Sequence, residues 1–234
     1  MGHHILPGNP PVPLILRRSA RARRISLRVS ATDGRVTLTM PRGCPERVAL
    51  DFVRDKGAWL RARLAEQSPP CRVTPGGALP VEGQMRRIVC GTGRQTCLSA
   101  EDIRLPGTPE QAPARLLAWL KLRARDRLAD ASDRYAAQLG RRYTRLTLRD
   151  PRGRWGSCSA RGALMYSWRL IMAPPDVLDY VAAHEVAHLA QMNHSPEFWA
   201  EVARLCPDHA RSRQWLRRQG SGLHRYVFET AART

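Results

Sequence analysis

The chain has 234 residues, of which 43% are hydrophobic and 25% charged, with 39 basic against 20 acidic side chains. No apolar stretch approaches the roughly 20 residues of a membrane-spanning helix, so the composition favours a soluble protein of one or two domains with no membrane partner. The formal net charge of +19 suggests an anionic partner such as nucleic acid, but 37 of the 39 basic residues are arginine, a skew that GC-rich coding produces whatever the function.

The N-terminal part begins with a predicted β-hairpin. Apolar and polar residues alternate in 25–29 and 36–40, and the two runs are joined at Asp33-Gly34, a strong hairpin signal. The apolar positions of 46–67 then have helical spacing, with Gly57 as a weak point, and predict one or two helices.

A second hairpin is predicted further along, from the runs 79–81 and 85–89. Residues 91–113 are predicted to be mostly turns, because polar and turn-forming residues dominate there. We therefore assign 1–110 to a β-rich N-terminal region that also carries a short helix.

Residues 111–234 are predicted to form a second domain. A long helix is expected over 114–139, where apolar residues form one stripe and Gly140 supplies the C-terminal stop. Asp176 is a candidate N-cap for a later helix. The other predicted elements are strands at 143–148 and 163–171, a loop at 149–161, and helices at 176–192, 196–206 and 208–219.

The chemistry is concentrated in the predicted 176–192 helix, in the sequence His184-Glu185-Val186-Ala187-His188. Histidines four residues apart lie about one turn apart on one side of a helix, so both rings can reach the same ion. Neutral imidazole is a common zinc ligand. Glu185, next to the first ligand, is positioned to take a proton from a water on that ion.

A third ligand is predicted at His194. It follows His188 by six residues, which is the spacing between the second and third ligands in the metzincin pattern. Three protein ligands leave an open zinc position, as in catalytic sites, whereas structural zinc sites are closed by four ligands and are rich in cysteine. The pattern therefore favours a catalytic Zn²⁺ over a structural one.

Several separated motifs make the chain resemble the YgjP-like zinc metallopeptidases, which are related to the WLM and SprT-like groups. The likeness covers about 14–220, and a minor departure is Val186, where leucine is usual. The motifs are Arg154-Trp155-Gly156-Ser157-Cys158, Trp168-Arg169-Leu170-Ile171, Asp179-Tyr180-Val181, His184-Glu185, His188-Leu189 and Asn193-His194-Ser195-Pro196-Glu197-Phe198-Trp199, together with the N-terminal stretch 21–29.

The resemblance implies an α+β fold in which the β-rich region precedes a zincin-like catalytic domain. It places the metal at His184, His188 and His194 and the general base at Glu185. The expected activity is zinc-dependent hydrolysis, first of all of a peptide bond in a peptide or protein substrate.

Two alternatives stay open. Some members carry the alternative name UTP pyrophosphatase, which implies hydrolysis of a nucleoside triphosphate at the same site, although the chain has no Walker-type glycine loop to cradle phosphates. The other alternative is a nucleic-acid-associated protein, or a protease of proteins attached to DNA as in the SprT-like relatives. The basic N-terminal half would then be the contact surface, since 1–75 has 14 basic and 5 acidic side chains.

Three further residues are candidates for binding substrate: Arg154, Tyr166 and Tyr180. Arg154 can bind a carboxylate or a phosphate, and the two tyrosines can donate to an oxyanion. For each of them a purely structural role stays open.

The cysteines indicate a reducing compartment. All six are scattered, with no C-x-x-C pair, and no signal-peptide pattern precedes them, so we expect reduced thiols in a cytoplasmic protein.

Overall fold

The computed structural model describes residues 2–30, 34–65 and 69–229, which fall into two compact units. The N-terminal unit is 1–69 and the C-terminal unit is 70–234. Each unit has its own cluster of buried apolar side chains. The mixture of sheets and helices confirms the predicted α+β class.

The N-terminal unit contains a four-stranded sheet in the order β1-β2-β4-β3. β3 pairs antiparallel with β4, which confirms the first predicted hairpin, although Asp33 of its turn lies outside the described residues. β2 pairs parallel with β4 and antiparallel with β1. The strands are β1 (Gly2–Leu6), β2 (Val12–Ser19), β3 (Ser26–Val29) and β4 (Val36–Pro41).

Two helices complete this unit, α1 (Glu46–Asp55) and α2 (Gly57–Ala65). Their buried residues include Val53 and Leu60, which join the core formed by the inward side chains of β2 and β4. The break falls at Lys56, immediately before Gly57, so the two-helix form of the prediction is correct.

The C-terminal unit begins with a second sheet in the order β6-β7-β9-β8. β6 and β7 pair antiparallel, as predicted for the second hairpin. The prediction of mostly turns over 91–113 is wrong, because β9 pairs parallel with β7 and its Ile103 and Leu105 are fully buried. The strands are β5 (Cys71–Arg72), β6 (Ala78–Val81), β7 (Gln84–Gly91), β8 (Cys97–Leu98) and β9 (Asp102–Pro106).

This sheet shares its core with the long helix α3 (Ala112–Leu139). Leu79 and Leu105 from the sheet and Leu120 from the helix belong to one buried cluster. The units therefore divide between residues 69 and 70, whereas the sequence predicted a division after residue 110. The reason is that the strands of 70–110 bury their apolar faces against the following helix.

The C-terminus of α3 has the predicted glycine stop. Gly140 adopts a left-handed conformation with φ of 67°, and its N–H donates to the last carbonyls of the helix, those of Ala136 and Ala137. Glycine suits this position because other residues are strained at positive φ.

The remaining elements surround the predicted site. In the three-stranded sheet β12 lies in the middle, parallel to β10 and antiparallel to β11. A 3-10 helix, Trp168–Met172, replaces the second half of the strand predicted over 163–171. The elements are β10 (Arg145–Arg149), β11 (Gly156–Cys158), β12 (Ala163–Ser167), α4 (Pro175–Ala187), α5 (Pro196–Leu205), α6 (His209–Gln219), a 3-10 helix at Gly220–Arg225 and β13 (Tyr226–Val227), which pairs with β5.

Two details of the predicted helices differ. Pro174, not Asp176, is the N-cap of α4, and α4 ends at Ala187, five residues before the predicted end. Among the described residues, none of the helices has the length and apolar character needed to cross a membrane.

Candidate metal centre

The helix α4 presents the first two predicted ligands. Pro175 stands at the start of the helix, where its missing N–H costs no hydrogen bond, and the helix is buried on most of its sides. His184 lies in the last turn and His188 is the C-cap residue, so both rings project from the same end of the helix. Their centroids are 5.1 Å apart.

The third predicted ligand comes from the segment between α4 and α5. The helix ends immediately after His188, and the chain reverses before Ser195, which caps α5. This turn brings Nε2 of His194 to 3.2 Å from Nε2 of His184. The structure therefore brings together the three histidines that the spacing selected.

The donor set is of the kind that binds zinc. One ligand nitrogen from each of the three histidines lies within 4.8 Å of the others, and in the part of the chain that is described this is the one such cluster of three or more ligand-type side chains. Zinc binds histidine nitrogen at about 2.0–2.1 Å in tetrahedral geometry, which places two ligand nitrogens about 3.3 Å apart. The 3.2 Å between His184 and His194 matches that separation.

Two of the histidines, His184 and His188, favour the uncharged form that a metal requires. Burial, reinforced by the neighbouring His188, His194 and Arg213, lowers the pKa of His184 to about 3. Burial also lowers the pKa of His188, whose Nδ1 lies 2.9 Å from the carbonyl of Gln191. A proton on that nitrogen donates to the carbonyl and leaves Nε2 free to bind a metal.

Aromatic rings form the wall behind the cluster. Phe198 is fully buried, and its ring centroid lies 4.4 Å from that of His188 and 4.9 Å from that of His184. Trp199 packs against His184 and His194 from the same helix. Among the described residues His184 Nδ1 is buried without a hydrogen-bond partner, so ring packing holds this side of the imidazole.

Glu185 points from α4 towards β11. Its side chain is buried, and burial raises its pKa to about 8, although the charge of Arg154 and a hydrogen bond from the Cys158 backbone N–H oppose that rise. A carboxyl group with a pKa near neutrality suits proton transfer in both directions.

Gly156 makes room for this carboxylate. A Cβ on Gly156 would lie 2.5 Å from both Cγ and Oε1 of Glu185, a distance that real Cβ atoms do not reach. Gly156 belongs to the motif 154–158, but the sequence does not predict its contact with Glu185, because Glu185 lies 29 residues further along the chain. Gly156 is therefore a positioning residue for Glu185.

The three predicted substrate-binding residues lie in different surroundings. Arg154 is exposed and its charge acts on Glu185, so it borders the site. Tyr180 is buried with its ring 5.9 Å from that of His184, which places it beside the first histidine as one helical turn requires. Both remain candidates for contacting substrate.

The structure corrects the assignment of Tyr166. Its side chain is fully buried in the core of the unit, and its hydroxyl lies 3.0 Å from that of Ser132 on α3. Burial raises its pKa far above the usual value. Without exposed surface this tyrosine cannot contact a substrate; it belongs to the core behind β12.

Arg213 is a residue that the sequence did not single out. It lies on α6, its guanidinium carbon is 4.5 Å from the Trp199 ring centroid, and its charge acts on His184 and Tyr180. The sequence did not indicate Arg213, because the chain is rich in arginine and nothing in the local sequence distinguishes Arg213 from its neighbours. It is the second cation, after Arg154, that borders the site.

Comparison with known proteins agrees with this geometry. The model of the family described as "YgjP-like, metallopeptidase domain" matches residues 23–219, most of the chain. No curated protein and no solved structure matches the chain.

Proposed function

Because this chain belongs to the YgjP-like metallopeptidase family, we propose that it is a zinc-dependent peptidase with Glu185 as its general base. The observation that supports this most is the convergence of three histidines beside a buried carboxyl group whose pKa is raised to about 8. That combination is typical of a hydrolytic metal site with an open position.

His184, His188 and His194 are the residues that would hold the ion. When bound, zinc supplies a Lewis acid that polarises a carbonyl and makes water more acidic. The lowered pKa values of His184 and His188, the hydrogen bond at His188 Nδ1 and the aromatic wall prepare these ligands before the metal arrives.

Glu185 performs the proton transfers. It accepts a proton from the attacking water and then donates it to the amine that leaves, so the carboxylate is restored at the end of each cycle. The N–H of Cys158 and the space left by Gly156 fix the position of the carboxylate through both steps. Arg154, Tyr180 and Arg213 surround this point and are proposed to bind and orient substrate.

The test compares wild type with Glu185→Gln, each loaded with zinc, on a casein-type protein, a peptide library and nucleoside triphosphates. We expect peptide cleavage by the wild type and a loss of at least 100-fold in kcat for the variant. Glu201→Gln is the matched control, since Glu201 pairs with Arg204 on α5 and takes no part in the cluster.

The outcomes separate the candidate reactions. Glu185-dependent turnover of nucleoside triphosphates without peptide cleavage would replace the peptidase by a pyrophosphatase at the same site. Metal analysis of His194→Ala tests the ligand set without an activity assay, and we expect zinc at about one per chain in the wild type and its loss in the variant.

A further inference from the structure

A cavity of about 470 Å³ opens beside His188, on the side of the cluster reached from β11 and the end of α3. Its volume is in the range of small-ligand sites and accommodates more than one amino-acid side chain. It is lined by the stretch Gly140, Arg141 and Arg142, the turn from Ser159 to Gly162, and His188, Leu189 and Met192.

Three exposed arginines, Arg141, Arg142 and Arg161, are among the residues that line this cavity. Backbone contacts bring their two segments together: the N–H of Thr144 donates to the carbonyl of Gly162 at 2.9 Å, and the Thr144 hydroxyl donates to the carbonyl of Arg161 at 3.2 Å. The two segments that carry the arginines are therefore held side by side by main-chain contacts.

The residues that line the cavity have a net positive charge, because no aspartate or glutamate lines it among the described residues. Asp133, which lines a neighbouring cavity together with Arg141 and Arg142, accepts a hydrogen bond from Tyr143 at 2.6 Å. Within the described chain, the three guanidinium groups make no hydrogen bond or ion pair with protein groups. Clustered arginines repel one another, so the arrangement favours binding of an anion.

We propose that this cavity is a specificity subsite that receives an acidic side chain, aspartate or glutamate, of a protein substrate cleaved at the His184, His188 and His194 cluster. The inference rests on the proposed peptidase function and names its substrate class, an acidic polypeptide segment. Guanidinium groups bind carboxylates through paired hydrogen bonds. The lining contains no phenylalanine, tyrosine or tryptophan among the described residues, so a nucleobase finds no such stacking surface there.

Binding is tested in the zinc-loaded Glu185→Gln protein, which holds peptides without cleaving them. Fluorescence anisotropy compares a labelled peptide carrying two glutamates with the same peptide carrying alanines. We expect at least tenfold tighter binding of the acidic peptide, and loss of that preference in the added triple change Arg141→Gln, Arg142→Gln and Arg161→Gln.

The control triple Arg94→Gln, Arg104→Gln and Arg125→Gln removes the same net charge from exposed positions that do not line the cavity. It should keep the preference. Equal affinity for the two peptides, or a preference that survives removal of the three cavity arginines, would overturn the subsite.

Cleavage by the active protein separates this inference from the proposed function. Glu185-dependent cleavage of a peptide library should show acidic residues enriched at one position relative to the cut. Cleavage without that enrichment would overturn the subsite but would not contradict the proposed peptidase function. Glu185-dependent turnover of nucleoside triphosphates alone, weakened by the cavity triple, would overturn both and assign the arginines to phosphate.

Discussion

The two compact units use arginine in different ways. The N-terminal unit has 13 basic and 5 acidic side chains in 69 residues, and nearly all of its arginines are exposed. The C-terminal unit buries two arginines as cross-links: Arg169 pairs with Asp150 at 2.7 Å and donates to the carbonyls of Leu223 and Tyr226, and Arg86 donates to the carbonyl of Ser99.

This difference shows that the denser positive charge and the histidine cluster lie in different units. The unit with the denser positive charge contains none of the candidate site residues, whereas the other places arginines beside a histidine cluster. That the basic N-terminal half contacts nucleic acid stays a prediction. The experiments below test whether the site depends on the C-terminal unit alone.

The largest expected effect comes from a core truncation in each unit. Leu38 of β4 and Leu120 of α3 are both fully buried. Each change to alanine should lower the free energy of unfolding of its own unit by about 3 kcal/mol. Because all the ligands lie in the C-terminal unit, Leu38→Ala should keep its zinc at denaturant concentrations where Leu120→Ala has lost it.

Chemical denaturation followed by metal release measures this difference. Loss of zinc from both variants at the same denaturant concentration would show that the site depends on both units and not on the C-terminal unit alone.

A smaller effect is expected inside the C-terminal unit from Gly156→Ala. The added methyl group would displace the Glu185 carboxylate, and a shift of about 1 Å at a catalytic group costs about 100-fold in kcat, or 2.7 kcal/mol. Gly153→Ala is the matched control from the same loop, where a Cβ meets no atom within 4 Å.

The readouts are kcat on the substrate that the wild type cleaves, zinc content and the unfolding midpoint. Gly156→Ala should lose activity while it keeps zinc. If both glycine variants retained full activity, Gly156 would not position the general base.

How far the sequence predicted this site depends on whether a feature is local. The spacing of His184, His188 and His194 lies within eleven residues, so it predicted a cluster that the structure then brought together. The contact of Gly156 with Glu185 joins two elements that pack only in the folded chain, and no local pattern encodes it.

The helices and strands also were predicted well where their signals are local in the sequence. The helix over 112–139 was predicted almost to the residue, because its apolar stripe and Gly140 lie in one continuous stretch. The short strand β9 was missed because its alternation of Ile103, Arg104 and Leu105 spans only three residues among turn-forming neighbours. Tyr166 was misassigned because a buried tyrosine and a cleft tyrosine look alike until the packing is known.

The smallest effect expected is a pH dependence of stability that belongs to the C-terminal unit. His224 is half-buried with its ring centroid 5.3 Å from that of Trp155, and it lies near Arg169, Arg152 and Asp150. Burial, then the charge of Arg169, lowers its pKa to about 4, with Asp150 opposing.

The unfolded imidazole binds a proton near its usual pKa of about 6.5, whereas the folded one resists protonation until about pH 4. The contribution of His224 to the free energy of unfolding is therefore fully present above pH 6.5 and is lost as the pH falls towards 4. Between pH 7 and pH 4.5, wild type should lose about 2 kcal/mol more free energy of unfolding than His224→Gln does. The three ligand histidines are present in both proteins, so their titration cancels in this difference, and parallel pH profiles from chemical denaturation would remove His224 as the cause.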